Sequence, residues 1–159
     1  MERTLRICRA DPSDPALRPL IEANLAHGAG AGPAESDHTF GVADLQHQDV
    51  RFFALFSGAD PMGCGAYKAL DDGAAEVKSV YIDAAARGRG YARHLMEHLA
   101  KAARAEGFAA LVLETGSPLC PGYDAARGLY EGLGYVYCDP IPGYVEDPMS
   151  AFMRLQLQP

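Results

Sequence analysis

The chain reads as a single α/β domain built on a mixed, mostly antiparallel sheet with one parallel β-α-β crossover. Three observations predict it. Turn clusters at 57–61 and 71–73 join three strand patterns between Arg51 and Ile82 as successive hairpins. A long amphipathic helix pattern then separates the strand at 75–82 from another at 109–114, a connection that makes those two strands parallel and right-handed. There is one such crossover, where a doubly wound dinucleotide fold would need several.

Element by element, the order is β-α-α-β-β-β-α-β-α-β-β. Residues 4–10 alternate as a strand, and Asp11-Pro12-Ser13-Asp14-Pro15 is a turn and helix start. Leu17, Leu20, Ile21 and Leu25 keep helical spacing to about His27, with Pro19 tolerable only in the first turn. The Gly/Ala-rich residues 28–37 are predicted as loop, and a short helix follows around 42–47. Strands at 51–56 and 62–70 precede the one at 75–82; Phe52, Phe53 and Phe56 read as core. In the long helix Leu95, Met96, Leu99 and Ala102/Ala103 form the apolar stripe, with Arg93, His94, Glu97, His98, Lys101 and Arg104 opposite, and Gly107 ends it. A helix at 123–133 places Ala126, Leu129, Tyr130 and Leu133 on one face and stops at Gly134. Strands at 135–138 and 151–157 close the domain across a long Pro/Gly loop, and neither a repeat nor a linker divides residues 1–159.

Composition narrows the function classes. At 159 residues, 48% apolar and 22% charged, the chain is an ordinary globular domain. A net charge of −7 argues against a nucleic-acid binder, which would present a basic face. No apolar run approaches the ~20 residues that span a membrane, and the first residues lack the apolar core of a signal peptide. Cys8, Cys64, Cys120 and Cys138 are scattered without metal-ligand spacing, as expected of reduced thiols in a cytoplasmic protein. His94 and His98 stand at i, i+4 without an evident third ligand, so no metal is expected.

Against that acidic background, Arg87-Gly88-Arg89-Gly90-Tyr91-Ala92 is a local positive turn between a strand and a helix. Gly88 and Gly90 permit φ > 0 and close backbone approach, and the helix start offers unpaired N–H groups and a positive dipole end. Such a turn suits a phosphate group. A dinucleotide fingerprint fits it in part: Gly88 and Gly90 match, but the third glycine place is Arg93, and residues 83–87 intervene after the strand.

Arg87, Gly90 and Ala92 satisfy Arg/Gln-x-x-Gly-x-Gly/Ala, which resembles the acetyl-CoA pyrophosphate loop of the GNAT N-acetyltransferase superfamily. Residues 61–70 resemble that family's third strand, and 75–99 its fourth strand, phosphate loop and long helix. Ala126-Arg127-Gly128-Leu129-Tyr130-Glu131-Gly132-Leu133-Gly134-Tyr135 is similar to its A-x-x-L-Y-E-x-x-G-F helix, with Tyr135 in place of Phe. Leu113-Glu114-Thr115-Gly116-Ser117, taken with the segment from Tyr144 to Met153, is similar to a bacterial small-molecule subgroup. The resemblance implies helices on both faces of the sheet, and acetyl transfer from acetyl-CoA to an amine by direct attack in a ternary complex.

It also implies roles. Val80 and Ile82 would offer backbone groups to the pantetheine arm, with the Val80 N–H polarising the acetyl carbonyl. Gly88, Gly90, Tyr91 and Ala92 would hold the pyrophosphate on their backbone, and Arg87 and Arg89 would add charge. Glu76 matches by position a glutamate base, with Glu114 its rival; the plainer readings are a solvated strand-end carboxylate for Glu76 and a structural acid bonding the 115–117 turn for Glu114. Tyr130 matches the tyrosine that gives a proton to the departing thiolate. Seven residues before it the family often has asparagine, and here the place is Tyr123.

The acceptor pocket is expected from two irregular segments, Glu35-Ser36-Asp37-His38 and Tyr144-Val145-Glu146-Asp147, because long loops in compact domains usually carry function. Glu35, His38 and Tyr144 are its candidate contacts, and the acidity of the segments suggests a small cationic amine. A homodimer is one assembly open to such a domain. A non-catalytic acetyl-CoA sensor on the same fold and a nucleotide-binding oxidoreductase are the competing functions.

Overall fold

The computed structural model describes residues 4–30 and 40–158. The strands are β1 Leu5–Arg9, β2 Val50–Ser57, β3 Asp60–Ala69, β4 Ala74–Ile82, β5 Ala110–Gly116, β6 Val136–Cys138 and β7 Ser150–Gln156. The helices are α1 Arg18–Gly30, α2 Val42–Leu45, α3 Tyr91–Ala105 and α4 Asp124–Gly132. One seven-stranded sheet has the order β1-β2-β3-β4-β5-β7-β6. Every neighbouring pair is antiparallel except β4 and β5, whose parallel pairing closes the crossover through α3. Element order and the single crossover are as the sequence predicts.

Cores lie on both sheet faces. On one, Met96, Leu99 and Ala103 of α3 pack on Phe53, Tyr67, Val77, Leu111, Leu113 and Met153. On the other, Leu17, Leu20 and Ile21 from the α1 end and Leu45 of α2 pack on Val50, Phe52, Ala54, Cys64 and Ala66. The alternation of β2 explains how Phe52 and Phe53, adjacent in sequence, serve opposite cores.

Three local expectations change. α1 continues through Gly30, so residues 28–30 are helical rather than loop. β5 continues through Gly116, so Thr115 and Gly116 are strand and not a turn. A Cβ on Gly116 would come within 2.3 Å of the Tyr123 ring, so this glycine makes room for a neighbour rather than for a bend. Gly116→Ala should therefore displace Tyr123 and destabilise the domain by about 1–3 kcal/mol in a denaturant titration. The third change concerns His98, whose half-buried ring meets Phe53 at 5.2 Å instead of joining the charged face of α3.

The feature that shapes the site is a split in the sheet. β4 pairs with β5 only from Ala74 to Glu76, although both strands run on, to Ile82 and Gly116. Just beyond, β4 bulges: Ala66 faces Lys78 and Cys64 faces Tyr81, so Ser79 and Val80 together oppose Gly65. Ser79 sits at φ 58, the one non-glycine residue described with positive φ. The bulge twists the end of β4 away from β5 and leaves its far edge without a strand partner.

Candidate active site

The turn after β4 forms as its glycines require. Gly88 and Gly90 both have φ 79, and a Cβ on either would meet nothing within 4 Å. Gly90 is the N-cap of α3, and the first bond of its ladder runs from His94 N–H to Gly90 O at 3.2 Å. The N–H groups of Tyr91, Ala92 and Arg93 therefore open the helix outside its ladder. Residues 87–90 are exposed, so these donors face an open cradle.

The arginines divide. Arg87 folds back: its Nε donates to Ile82 O at 3.2 Å and its guanidinium lies 5.3 Å from the Tyr81 ring centroid. It braces the turn against the strand end. Arg93 pairs with Glu97 at 3.3 Å on the helix surface, and Arg89 is exposed. Val80 packs with Leu55, Ile82, Ala86 and Leu95 beneath the turn. On the unpaired stretch of β4 the Ser79 hydroxyl is buried without a hydrogen-bond partner, an orphan polar group of the kind a bound ligand satisfies. These features fit an extended, phosphate-bearing ligand entering the split.

On the opposite face the structure joins two residues 68 positions apart. The Tyr144 hydroxyl donates to Glu76 Oε2, and Lys78 Nζ donates to the same hydroxyl at 2.9 Å while standing 3.3 Å from the carboxylate. Glu76 is 4% exposed, so it is no solvated strand-end acid; the side chain of Lys78 is 9% exposed. Burial, and then the Glu76 hydrogen bond and charge, push the Tyr144 phenol far above its ordinary value, so it is a neutral donor. Phe40 caps the group, its ring centroid 4.6 Å from Lys78 Nζ and 5.8 Å from Lys68 Nζ.

The loop before β7 is built to deliver Tyr144. Ile141 is buried against Val112 and Phe152, and Tyr144 N–H closes a turn to Ile141 O at 2.9 Å. At the far end Ser117 Oγ donates to Pro148 O at 2.5 Å, and Asp147 accepts from Met149 N–H at 2.8 Å. Asp147 thus shapes its own loop, and Glu146 is exposed. Glu114 contributes charge toward Tyr144 from β5. Thr115 and Gly116 are strand, so the turn expected at 115–117 begins only after Gly116. Glu35 and His38 lie outside the described residues. Tyr144→Phe should leave the buried Lys78 and Glu76 each short of a hydrogen bond, lowering stability by about 1–3 kcal/mol and raising the acceptor KM.

Tyr130 stands on α4 across the sheet from this cluster, against Tyr135 with ring centroids 5.8 Å apart. Burial, reinforced by Tyr123, pushes its phenol up to about 12. The helix is anchored by Arg127, which donates to Gly116 O at 2.8 Å and pairs with Asp124. Sequence reasoning missed Lys78, Lys68 and Phe40. The available signal was Glu76-x-Lys78, two charges sharing one face of an otherwise apolar strand.

A split between parallel strands, a glycine turn at a helix start and a buried acid beside the split are the features expected above from the resemblance to acetyltransferases. The acetyltransferase (GNAT) family matches residues 20–135, and the chain belongs to it. The chain is 38% identical over 138 residues to the uncharacterized N-acetyltransferase YsnE of Bacillus subtilis, covering 87% of this chain and 90% of that protein. It is 36% identical over 154 residues to the IAA acetyltransferase of Azospirillum brasilense, covering 95% and 97%. A Klebsiella pneumoniae structure described as an acyl-CoA N-acyltransferase superposes with a TM-score of 0.80 at 31% identity, covering 98% of this chain and 99% of that one.

Proposed function

We propose that the protein moves an acetyl group from acetyl-CoA to the amine of a small molecule, an amino acid or a peptide, by direct attack within a ternary complex. The observation that carries this reading is the split between β4 and β5, with the Gly88–Gly90 cradle near its mouth and the Glu76 cluster where the strands part. Acetyl-CoA supplies an activated acyl thioester whose sulfur must leave as a thiol.

The chain's own residues do the rest. The backbone of 88–92 and the exposed Arg89 hold the pyrophosphate, while Arg87 keeps the turn in register with β4. The free edge of β4 at Val80 and Ile82 orients the pantetheine arm, and the Val80 N–H stabilises charge that develops on the acetyl oxygen. Arg87 already occupies one acceptor position of Ile82 O, so more of this work falls to Val80. An amine of pKa ~10 arrives mostly protonated, and Glu76 takes its proton directly or through water.

Tyr130 keeps its own proton at neutral pH and donates a hydrogen bond to the leaving sulfur, which departs as a thiolate and takes the proton of the product thiol from solvent. Complete transfer from a phenol near 12 to a thiolate of pKa ~8.5 is uphill, so its share of the rate is modest. Tyr130→Phe preserves the packing on Tyr135 and should lower kcat about 10- to 100-fold with little change in stability. Unchanged kcat would make Tyr130 a core residue only.

Acetyl-CoA-dependent thiol release, screened across amines, amino acids and peptides, tests the whole reading. CoA bound with no thiol released for any acceptor would leave a sensor in its place.

A further inference from the structure

Lys68 and Glu76 face each other directly across β3 and β4, where opposite charges ordinarily pair. Here they do not. Glu76 is taken by Lys78 and Tyr144, and the Lys68 ammonium is drawn to the Phe40 ring instead. Two ammonium groups therefore share one aromatic ring on the Glu76 side of the split, with Glu76 ion-paired to one of them. Lys68 is half-buried, and among the described residues its ammonium has this cation–π contact but no ion pair or hydrogen bond. Like charges gathered this way repel, and an anion placed between them relieves the repulsion.

We propose that Lys68 is a specificity residue that binds a carboxylate on the acceptor, so that the acceptor is an amino acid and not a polyamine. This rests on the acetyltransferase reading above. Glu76 receives the amine and Lys68 the acid group. Opposed Cβ atoms on neighbouring strands are about 5 Å apart, which suits a molecule carrying both groups on one carbon or on adjacent carbons. A diamine would instead bring a second cation against Lys68 and Lys78. The acidic loop segments suggested a cationic acceptor; the two lysines on the described wall of the site favour a zwitterion.

The test compares matched pairs that differ only by the carboxylate: phenylalanine with phenethylamine, tyrosine with tyramine, leucine with isoamylamine, lysine with cadaverine. Thiol release and calorimetric binding to the CoA-loaded protein are read for each. At least one acid should exceed its decarboxylated partner tenfold or more in kcat/KM. Lys68→Met should erase that preference by raising the KM of the acid about tenfold, and Lys68→Arg should restore most of it. Equal use of both members of every pair overturns the inference, as does a preference that survives Lys68→Met, or no acid bound or acetylated at all. Failure of the acetyltransferase reading is separately visible, because acetyl-CoA itself would then fail to bind or to release thiol with either member of any pair.

Discussion

Gly90→Glu should weaken acetyl-CoA binding by a hundredfold or more while the domain remains folded. This one substitution has two separable effects. At φ 79 a side chain costs about 1–2 kcal/mol of backbone strain, but its Cβ meets nothing within 4 Å, so no packing is lost. The carboxylate, by contrast, lands at the N-cap of α3, where three N–H groups lie outside the ladder and the dipole end is positive. It competes for the donors a pyrophosphate would use and repels that group. Hydrogen bonds to a charged partner are worth about 1.5–3 kcal/mol each, so losing one or two suffices for the expected effect. Gly73→Glu is the control: φ there is 87, the space is equally open, and the residue lies in the β3–β4 turn at the other end of the strand. Calorimetry should find affinity lost in the first variant and kept in the second, with circular dichroism unchanged in both. Wild-type affinity in Gly90→Glu, or equal loss in Gly73→Glu, would remove the cofactor assignment from this turn.

The turn was legible in the sequence because its chemistry is local. Positive φ demands glycine, helix starts follow capping rules, and both signals sit within six residues. The crossover was legible for a related reason: hairpin turns and one long amphipathic helix leave few ways to connect the strands. The Glu76–Lys78–Tyr144 cluster was only half legible. Glu76 and Tyr144 were each singled out, but for different jobs, as base and as acceptor contact. Their direct bond depends on a loop whose path is set by Ile141 burying itself beside Phe152 and by Ser117 reaching Pro148, contacts that no periodicity announces. Lys68 and Phe40 escaped notice because their meaning comes from register. Lys68 matters through the residue opposite it on β4, and a sheet partner is not written in sequence spacing. Gly116 misled for the converse reason: a glycine after a threonine imitates a turn, whereas its reason here is the ring of Tyr123.

Glu76→Gln should lower kcat by about 10²–10⁴, the usual worth of a general base, but the variant alone would be ambiguous. Glu76 is also the counterion of Lys78 in a buried pair at 3.3 Å. Removing one member of such a pair strands the other charge away from water and costs about 3–5 kcal/mol of stability. A loss of rate could then reflect a loosened site instead of a missing base. The double variant Glu76→Gln/Lys78→Met separates the two. It deletes both charges, keeps two side chains of similar length, and should recover most of the lost stability, since replacing a whole buried pair by neutral groups is often close to neutral. The rate should not recover with it, because neither Gln nor Met can take a proton from the amine. Thermal unfolding and single-turnover acetylation, measured on the wild type and on both variants with an acceptor the wild type acetylates, give the answer. Restored stability with kcat still depressed a hundredfold or more assigns the proton to Glu76. Restored rate in the double variant would make Glu76 only the partner of Lys78 and turn attention to Glu114, the other carboxylate whose charge reaches Tyr144.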